Sequence, residues 1–161
     1  MACKECRKNA IWEFTNKTKL CKKCFTDYFE RKIFRTIRKY NILPKTIILK
    51  KSNNINTKVL KYILERKFPV KSGRENLSSE NLSQTAEEIF LNIMKGRFKF
   101  RINKTPLMLL SDREIGLYAQ IKKIKGNKIK KDKKIKKLFK KFMKKNPDLE
   151  HNILNAYFQL N

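Results

Sequence analysis

The chain contains four cysteines and no others, set as two pairs, Cys3-Lys4-Glu5-Cys6 and Cys21-Lys22-Lys23-Cys24. A C-x-x-C segment bends into a knuckle that aims two thiolates at one point, and two knuckles complete a tetrahedron of soft ligands. The spacing predicts a structural zinc ion on Cys3, Cys6, Cys21 and Cys24. The alternative use of four cysteines is a pair of disulfides in a small secreted module. No leader-like stretch precedes these cysteines, and 161 residues exceed the size of a typical disulfide scaffold. Thiols held for a metal imply a reducing compartment, so the expected location is the cytoplasm.

Other residues that could do chemistry are sparse. His151 is the only histidine and falls late in a terminal helical pattern, so it reads as structural. Glu87 and Glu88 are adjacent and point to different sides of a helix, which excludes a carboxylate acid/base pair. The four glycines are isolated at 73, 96, 116 and 126, so no glycine-rich phosphate loop is visible.

Charge is the second chemical fact. Lysine and arginine number 41 against 14 acidic residues, a formal net charge of +27. A surplus of this size calls for a polyanion, and the expected partner is tRNA or another structured RNA. A lysine-biased proteome would raise the charge without any such partner. Arg31, Arg35 and Arg38, with Lys32 and Lys39, form a basic row directly after the second cysteine pair. Guanidinium forks grip phosphate oxygens bidentately, which makes this row the first RNA candidate. Lys137 and Lys141 stand for a second, denser lysine region on a late helix. No stretch approaches the roughly 20 apolar residues of a membrane span. The run Lys130-Lys131-Asp132-Lys133-Lys134 lacks the apolar anchor that would turn it toward lipid.

The elements that must position these residues follow from periodicity. Ile11 to Phe14 alternates as a strand, Thr15 to Thr18 is turn chemistry, and Lys19-Leu20 returns, giving a ribbon hairpin with Trp12 or Phe14 over the metal. Phe25, Phe29, Ile33, Ile37 and Tyr40 mark one face of a helix that ends before Pro44. Thr46 to Leu49 reads as a buried strand, Thr57 to Arg66 as a helix, and Phe68 to Glu80 as a loop. Thr85 to Glu88 has the form of a capping box, with Ser83 as a rival cap, and opens a helix closed by Gly96. Phe98, Phe100 and Ile102 alternate as a short strand. Ser111 to Glu114 is a second capping box, opening a helix to about Ile124 ahead of a break at Gly126-Asn127. Ile135, Leu138, Phe139, Phe142 and Met143 form a core stripe ringed by lysines. Asn146 and Pro147 open the last helix. The fold class is α+β, mostly helical, divided into a zinc ribbon over residues 1–24 and a basic helical and α/β part over 25–161.

Several segments resemble the tRNA 2-thiouridine synthetases, PP-loop ATPases that place sulfur on a tRNA uridine. Leu20-Cys21-Lys22-Lys23-Cys24-Phe25, Tyr28 to Ile33 and Thr36 to Tyr40 are similar to that family's N-terminal zinc ribbon and following helix. Three later stretches resemble family segments in the same order. They are Asn81-Leu82 with Ala86, Ile89, Asn92 and Gly96, then Thr105-Pro106-Leu107 through Glu114 to Ala119, then Phe142 to Ile153 with Pro147 and Glu150. The family's nucleotide loop, Ser-Gly-Gly-Lys-Asp-Ser, is replaced here by Ser52, Asn53, Asn54, Ile55, Asn56 and Thr57. The family's Asp-Asp pair is Ser83-Gln84, the middle of its sheet is shortened to Glu65–Ser79, and its later cysteines are missing. The resemblance with these losses implies a shrunken PP-loop-like remnant that is not an enzyme. It implies an RNA-binding pseudoenzyme serving as partner or tRNA-presenting subunit, beside a catalytic PP-loop thiolase subunit. A free-standing basic zinc ribbon that binds tRNA or ribosomal RNA is the alternative; an active thiolase is the reading the loop disfavours.

Overall fold

A computed structural model describes residues 2–128 and 133–160, and leaves the side chains of 133–136 aside. Of the run Lys130-Lys131-Asp132-Lys133-Lys134, the first three residues therefore lie outside the described residues. The architecture is α+β. Strands β1 (Trp12–Glu13) and β2 (Lys19–Leu20) form an antiparallel hairpin with Trp12 opposite Leu20. Helix α1 (Lys22–Tyr40) follows, then strand β3 (Ile47–Lys50), helix α2 (Ile55–Leu64) and strand β4 (Val70–Gly73). Helices α3 (Leu82–Met94), α4 (Asp112–Lys122), α5 (Lys133–Lys145) and α6 (Leu149–Leu160) complete the described elements.

Helix α1 forms because its apolar residues recur every three or four positions and sink into one core. Phe25, Phe29 and Ile33 are fully buried, and burial of each such side chain contributes about 1.5–3 kcal/mol. Asn41 ends the helix in the left-handed region at φ 47°, which asparagine tolerates better than most residues. The same core takes Val59, Leu60, Ile63 and Leu64 from α2, Ile47 and Leu49 from β3, and Ile115 and Tyr118 from α4. Leu20 and the ligands Cys3 and Cys21 join it from the hairpin. A second cluster gathers Leu82, Ile89, Met108 and Leu154, with α6 packed on α3.

Several boundaries differ from the sequence expectations. The stretch expected as a loop from Phe68 contains β4, which pairs in parallel with β3, Ile47 opposite Val70 and Lys50 opposite Gly73. Val-Lys-Ser-Gly carries little strand signal of its own; the ladder of β3 imposes it, and Asn76 extends the pairing by bonding Ile48 and Thr46. Helix α3 starts at Leu82, ahead of Thr85. Asn81 Oδ1 accepts from the Gln84 amide at 3.0 Å and Gln84 Oε1 from the Asn81 amide at 3.2 Å, a complete capping box one turn earlier. The alternating Phe98, Phe100 and Ile102 form no strand, because the Tyr157 hydroxyl takes their backbone groups, donating to Phe100 O and accepting from Ile102 N. Helix α6 starts at Leu149, after a turn through Pro147. The core stripe of α5 is half realised: Phe139 is buried against Phe90, while Leu138 and Phe142 remain partly exposed.

Candidate metal centre and nucleic-acid face

The hairpin and the first turn of α1 bring all four thiols together. Cys21 sits at the N-cap of α1 and Cys24 in its first turn, while Cys3 and Cys6 close a knuckle whose chain reverses at Arg7, φ 61°. The Cys3 carbonyl accepts the Arg7 amide at 2.9 Å, and the Cys3 amide donates to the Lys8 carbonyl at 2.8 Å. The four Sγ atoms lie within 4.8 Å of one another, with Cys6 at 3.4 Å from Cys21 and 3.6 Å from Cys24. One ion with metal–sulfur bonds of about 2.3 Å spaces tetrahedral sulfurs roughly 3.8 Å apart. The donor set therefore fits a single ion. Burial pushes the Cys3 thiol up, but backbone N–H groups of Cys21, Cys6 and Glu5 outweigh it and bring it to about 6. The Cys24 amide likewise lowers Cys21. These two effects favour the thiolate a metal requires, whereas burial and the neighbouring thiols push Cys24 up and Cys6 is also raised, so ion binding must displace those protons.

A ladder of aromatic rings fastens this ribbon to the body. Trp12 lies 5.4 Å from Phe25, Phe25 lies 6.1 Å from Phe29, and Phe29 stacks on Tyr118 at 4.2 Å and 15°. The Tyr118 hydroxyl donates to Glu30 at 2.6 Å. Of the two aromatic residues expected over the metal, Phe14 shares a hollow with Cys24, whereas Trp12 turns to Phe25 and lies under the Arg113 guanidinium at 5.4 Å.

The basic row on α1 is partly as read. Arg31, Arg35, Arg38 and Lys39 lie on the outer side of the helix, clear of the buried Phe25–Ile37 face. Cys24, Arg31, Arg35 and Arg38 are spaced by seven, four and three residues, so they share one helix face. Lys32 is otherwise engaged. Its ammonium donates to the Tyr28 hydroxyl at 2.7 Å and pairs with the buried Glu114 at 3.4 Å. Glu114 also accepts from the Ser111 amide and hydroxyl in the α4 capping box, tying α1 to α4. Sequence reasoning missed Glu114 as the anchor of this network, although its capping-box place was visible. Lys137 and Lys141 are exposed on α5.

Residues Ser52, Asn53 and Asn54 of the expected nucleotide loop join β3 to α2, while Ile55, Asn56 and Thr57 already belong to α2. The loop backbone is closed by the protein itself. The Asn54 amide donates to Ser52 Oγ at 3.1 Å, and the Asn56 amide to Asn54 Oδ1 at 2.9 Å, which caps α2 two residues before the expected start. The Ile55 amide donates to the Asn127 carbonyl at 3.0 Å, and the Asn127 amide to the Asn53 carbonyl at 2.7 Å. Gly126 makes this approach possible: a Cβ there would stand 2.9 Å from Ile55 Cα. Deeper in, Asn56 donates to Gln84 at 2.9 Å, and the Thr57 and Ser79 hydroxyls meet at 2.8 Å. The pairing of Gly126-Asn127 with this loop had no local signal beyond the break itself.

With this geometry in hand, the relatives can be placed. No protein-family model matches the chain. Among curated proteins, the tRNA-5-methyluridine(54) 2-sulfurtransferase of Pyrococcus horikoshii is 33% identical over 92 residues, 55% of this chain and 30% of that protein. The chain thus spans less than a third of the length of that relative. Among solved structures, the U34-tRNA thiolase NcsA from Methanococcus maripaludis, described with its [4Fe-4S] cluster, aligns with a TM-score of 0.80. The alignment covers 99% of this chain and 87% of that chain at 15% identity, a likeness of fold. These findings bear out the resemblance to tRNA thiolation enzymes. They overturn the expectation of a pseudoenzyme: the similar proteins are a sulfurtransferase and a thiolase, both enzymes. Missing glycines describe how one loop meets phosphate and are too narrow a basis for denying catalysis to the whole fold. Among the described residues, no helix is long and apolar enough to cross a membrane.

Proposed function

We propose that this chain forms part of a tRNA sulfur-transfer enzyme, in which the ribbon and α1 dock the tRNA. The observation that carries the reading is the outward row Arg31, Arg35 and Arg38 rising from the four-thiol centre on the face of Cys24. A rigid row of forks, spanning roughly 10 Å along the helix axis, suits a folded phosphate backbone. The sulfurtransferase similarity supplies the reaction class. We infer that the ion is zinc. Sulfurs 3.4 and 3.6 Å apart suit one ion, whereas a cubane cluster attaches each thiolate to a different iron and spreads them further. With all four cysteines on that ion, the transferred sulfur comes from a persulfide or cluster outside these 161 residues. A reducing cytoplasm suits these thiols.

Nucleoside mass spectrometry tests the reading. Deleting the gene should remove a 2-thiolated uridine from cellular tRNA. A chain carrying Arg35→Ala and Arg38→Ala should restore it poorly and bind tRNA about tenfold or more weakly, the scale of lost charge-assisted bonds. An unchanged thiouridine content after deletion would overturn the proposal.

A further inference from the structure

Two hollows flank Arg31, and nothing established about the chain uses them. The first, about 250 Å³, opens between the hairpin and α1. Phe14 and Tyr28 wall it, edge to face at 4.9 Å, with Cys24 beside them. Asn16, Thr18 and Glu5 bring polar groups to the same space. The second, about 440 Å³, lies between α1 and the end of α2, where Arg66, Lys67 and Phe34 join Arg31. The Lys67 ammonium stands 4.1 Å from the centre of the Phe34 ring.

We propose that these two hollows, which share Arg31, take an unpaired RNA strand, with a nucleobase seated in the first hollow against the Phe14–Tyr28 pair and its phosphate on Arg31. This rests on the tRNA-docking reading and specifies which part of the RNA is gripped. Alternation of aromatic walls and fixed guanidinium is the recognition chemistry of single strands, where bases stack and phosphates meet cations. A duplex cannot use the first hollow, because its bases are already stacked on one another. Arg31 is suited to the junction. Its Nε–H donates to the Asp27 carbonyl at 3.2 Å, which holds the side chain and leaves the terminal nitrogens to face outward partners. Two carboxylates border the second hollow. Glu30 is neutralised by Arg66, at 2.8 and 2.9 Å, and also accepts from Tyr118. The Asp27 carboxylate disfavours phosphate on its side, which directs the strand toward Lys67. In the first hollow, the Glu5 carboxylate would accept from an exocyclic amine, favouring a base that carries one. The Tyr28 phenol stays a neutral hydroxyl throughout, since burial and then Glu114 push it up.

The test compares a blunt RNA hairpin with the same hairpin bearing a short single-stranded overhang, using metal-loaded full chain and fluorescence polarisation. The overhang should improve affinity about tenfold, the size of one base stacked on an aromatic ring. Phe14→Leu keeps an apolar wall but removes the ring, so it should abolish the overhang's advantage and leave blunt-hairpin affinity unchanged. Arg31→Gln, at a position on the outer side of α1 that does not threaten folding, should also erase most of that advantage. Equal affinity of the native chain for both RNAs overturns this inference while leaving tRNA docking intact. Equal loss on both RNAs for Phe14→Leu and Arg31→Gln overturns it as well. Failure of the native chain to bind either RNA overturns the docking reading itself.

Discussion

The ribbon and the β3–α2 loop spend their polar groups in opposite ways. In the ribbon the chemical residues are all present, and the surrounding structure serves them: backbone amides lower Cys3 and Cys21, and α1 begins on a ligand. In the loop the geometry of strand, turn and helix stands, but the residues have turned inward. Ser52, Asn54 and Asn127 accept from the amides of Asn54, Asn56 and Ile55. A loop between strand and helix can therefore spend its hydrogen-bonding groups on the fold itself.

The largest test of this contrast is removal of the metal. Chelation should cost the ribbon about 10 kcal/mol of apparent folding free energy, and Cys21→Ser should lose most of the bound ion. Trp12, the single tryptophan, reports on the ribbon by fluorescence, while far-UV circular dichroism reports the helices. The expected outcome is a large change in Trp12 emission with much of the helical signal retained, and one zinc per native chain by elemental analysis. A variant with native metal content and native emission would mean that the thiols are not what holds the ribbon.

A smaller effect should come from the loop. Gly126→Ala places a methyl group 2.9 Å from Ile55 Cα and 3.0 Å from the Asn53 oxygen, both backbone atoms that cannot swing aside. It should destabilise the protein by about 1–3 kcal/mol, typical of overpacking, and speed hydrogen exchange at the Ile55 amide. Unchanged exchange would show that the contact does not close the loop.

The smallest is Asn54→Ala. Loss of the cap on α2 should cost about 1 kcal/mol, read from the denaturation midpoint, with Trp12 emission untouched below the transition. Coupled loss of the ribbon signal at low denaturant would erase the distinction between the two regions.

Much of the ribbon was legible because metal chemistry is local: two residues between cysteines suffice to set a knuckle. The face of α1 was equally clear, since Phe25, Phe29, Ile33 and Ile37 repeat at helical spacing and all four are buried. The Ser111–Glu114 box was read correctly because its partners are three residues apart. What escaped reading depends on distant chain. Val70 to Gly73 becomes a strand only beside β3, and Asn127 reaches Asn53 across more than seventy residues. Lys32 was grouped with the free cations because its partner Glu114 is 82 positions away. The true cap of α3, Asn81, was outcompeted on paper by Ser83 and Thr85, whose side chains can cap in the same way. Its selection is tertiary, since Asn81 also donates to Asp112 at 2.6 Å and so joins the starts of α3 and α4.

The row of touching rings from Trp12 to Tyr118 has a mechanical consequence. Each ring pair adds about 0.5–1.5 kcal/mol beyond simple burial, and the rings succeed one another without a flexible link. The hairpin is thereby braced against α4 instead of swinging on its own tether. Whatever grips the hairpin therefore also sets the bearing of α1 and α4, as a handle sets the bearing of its blade.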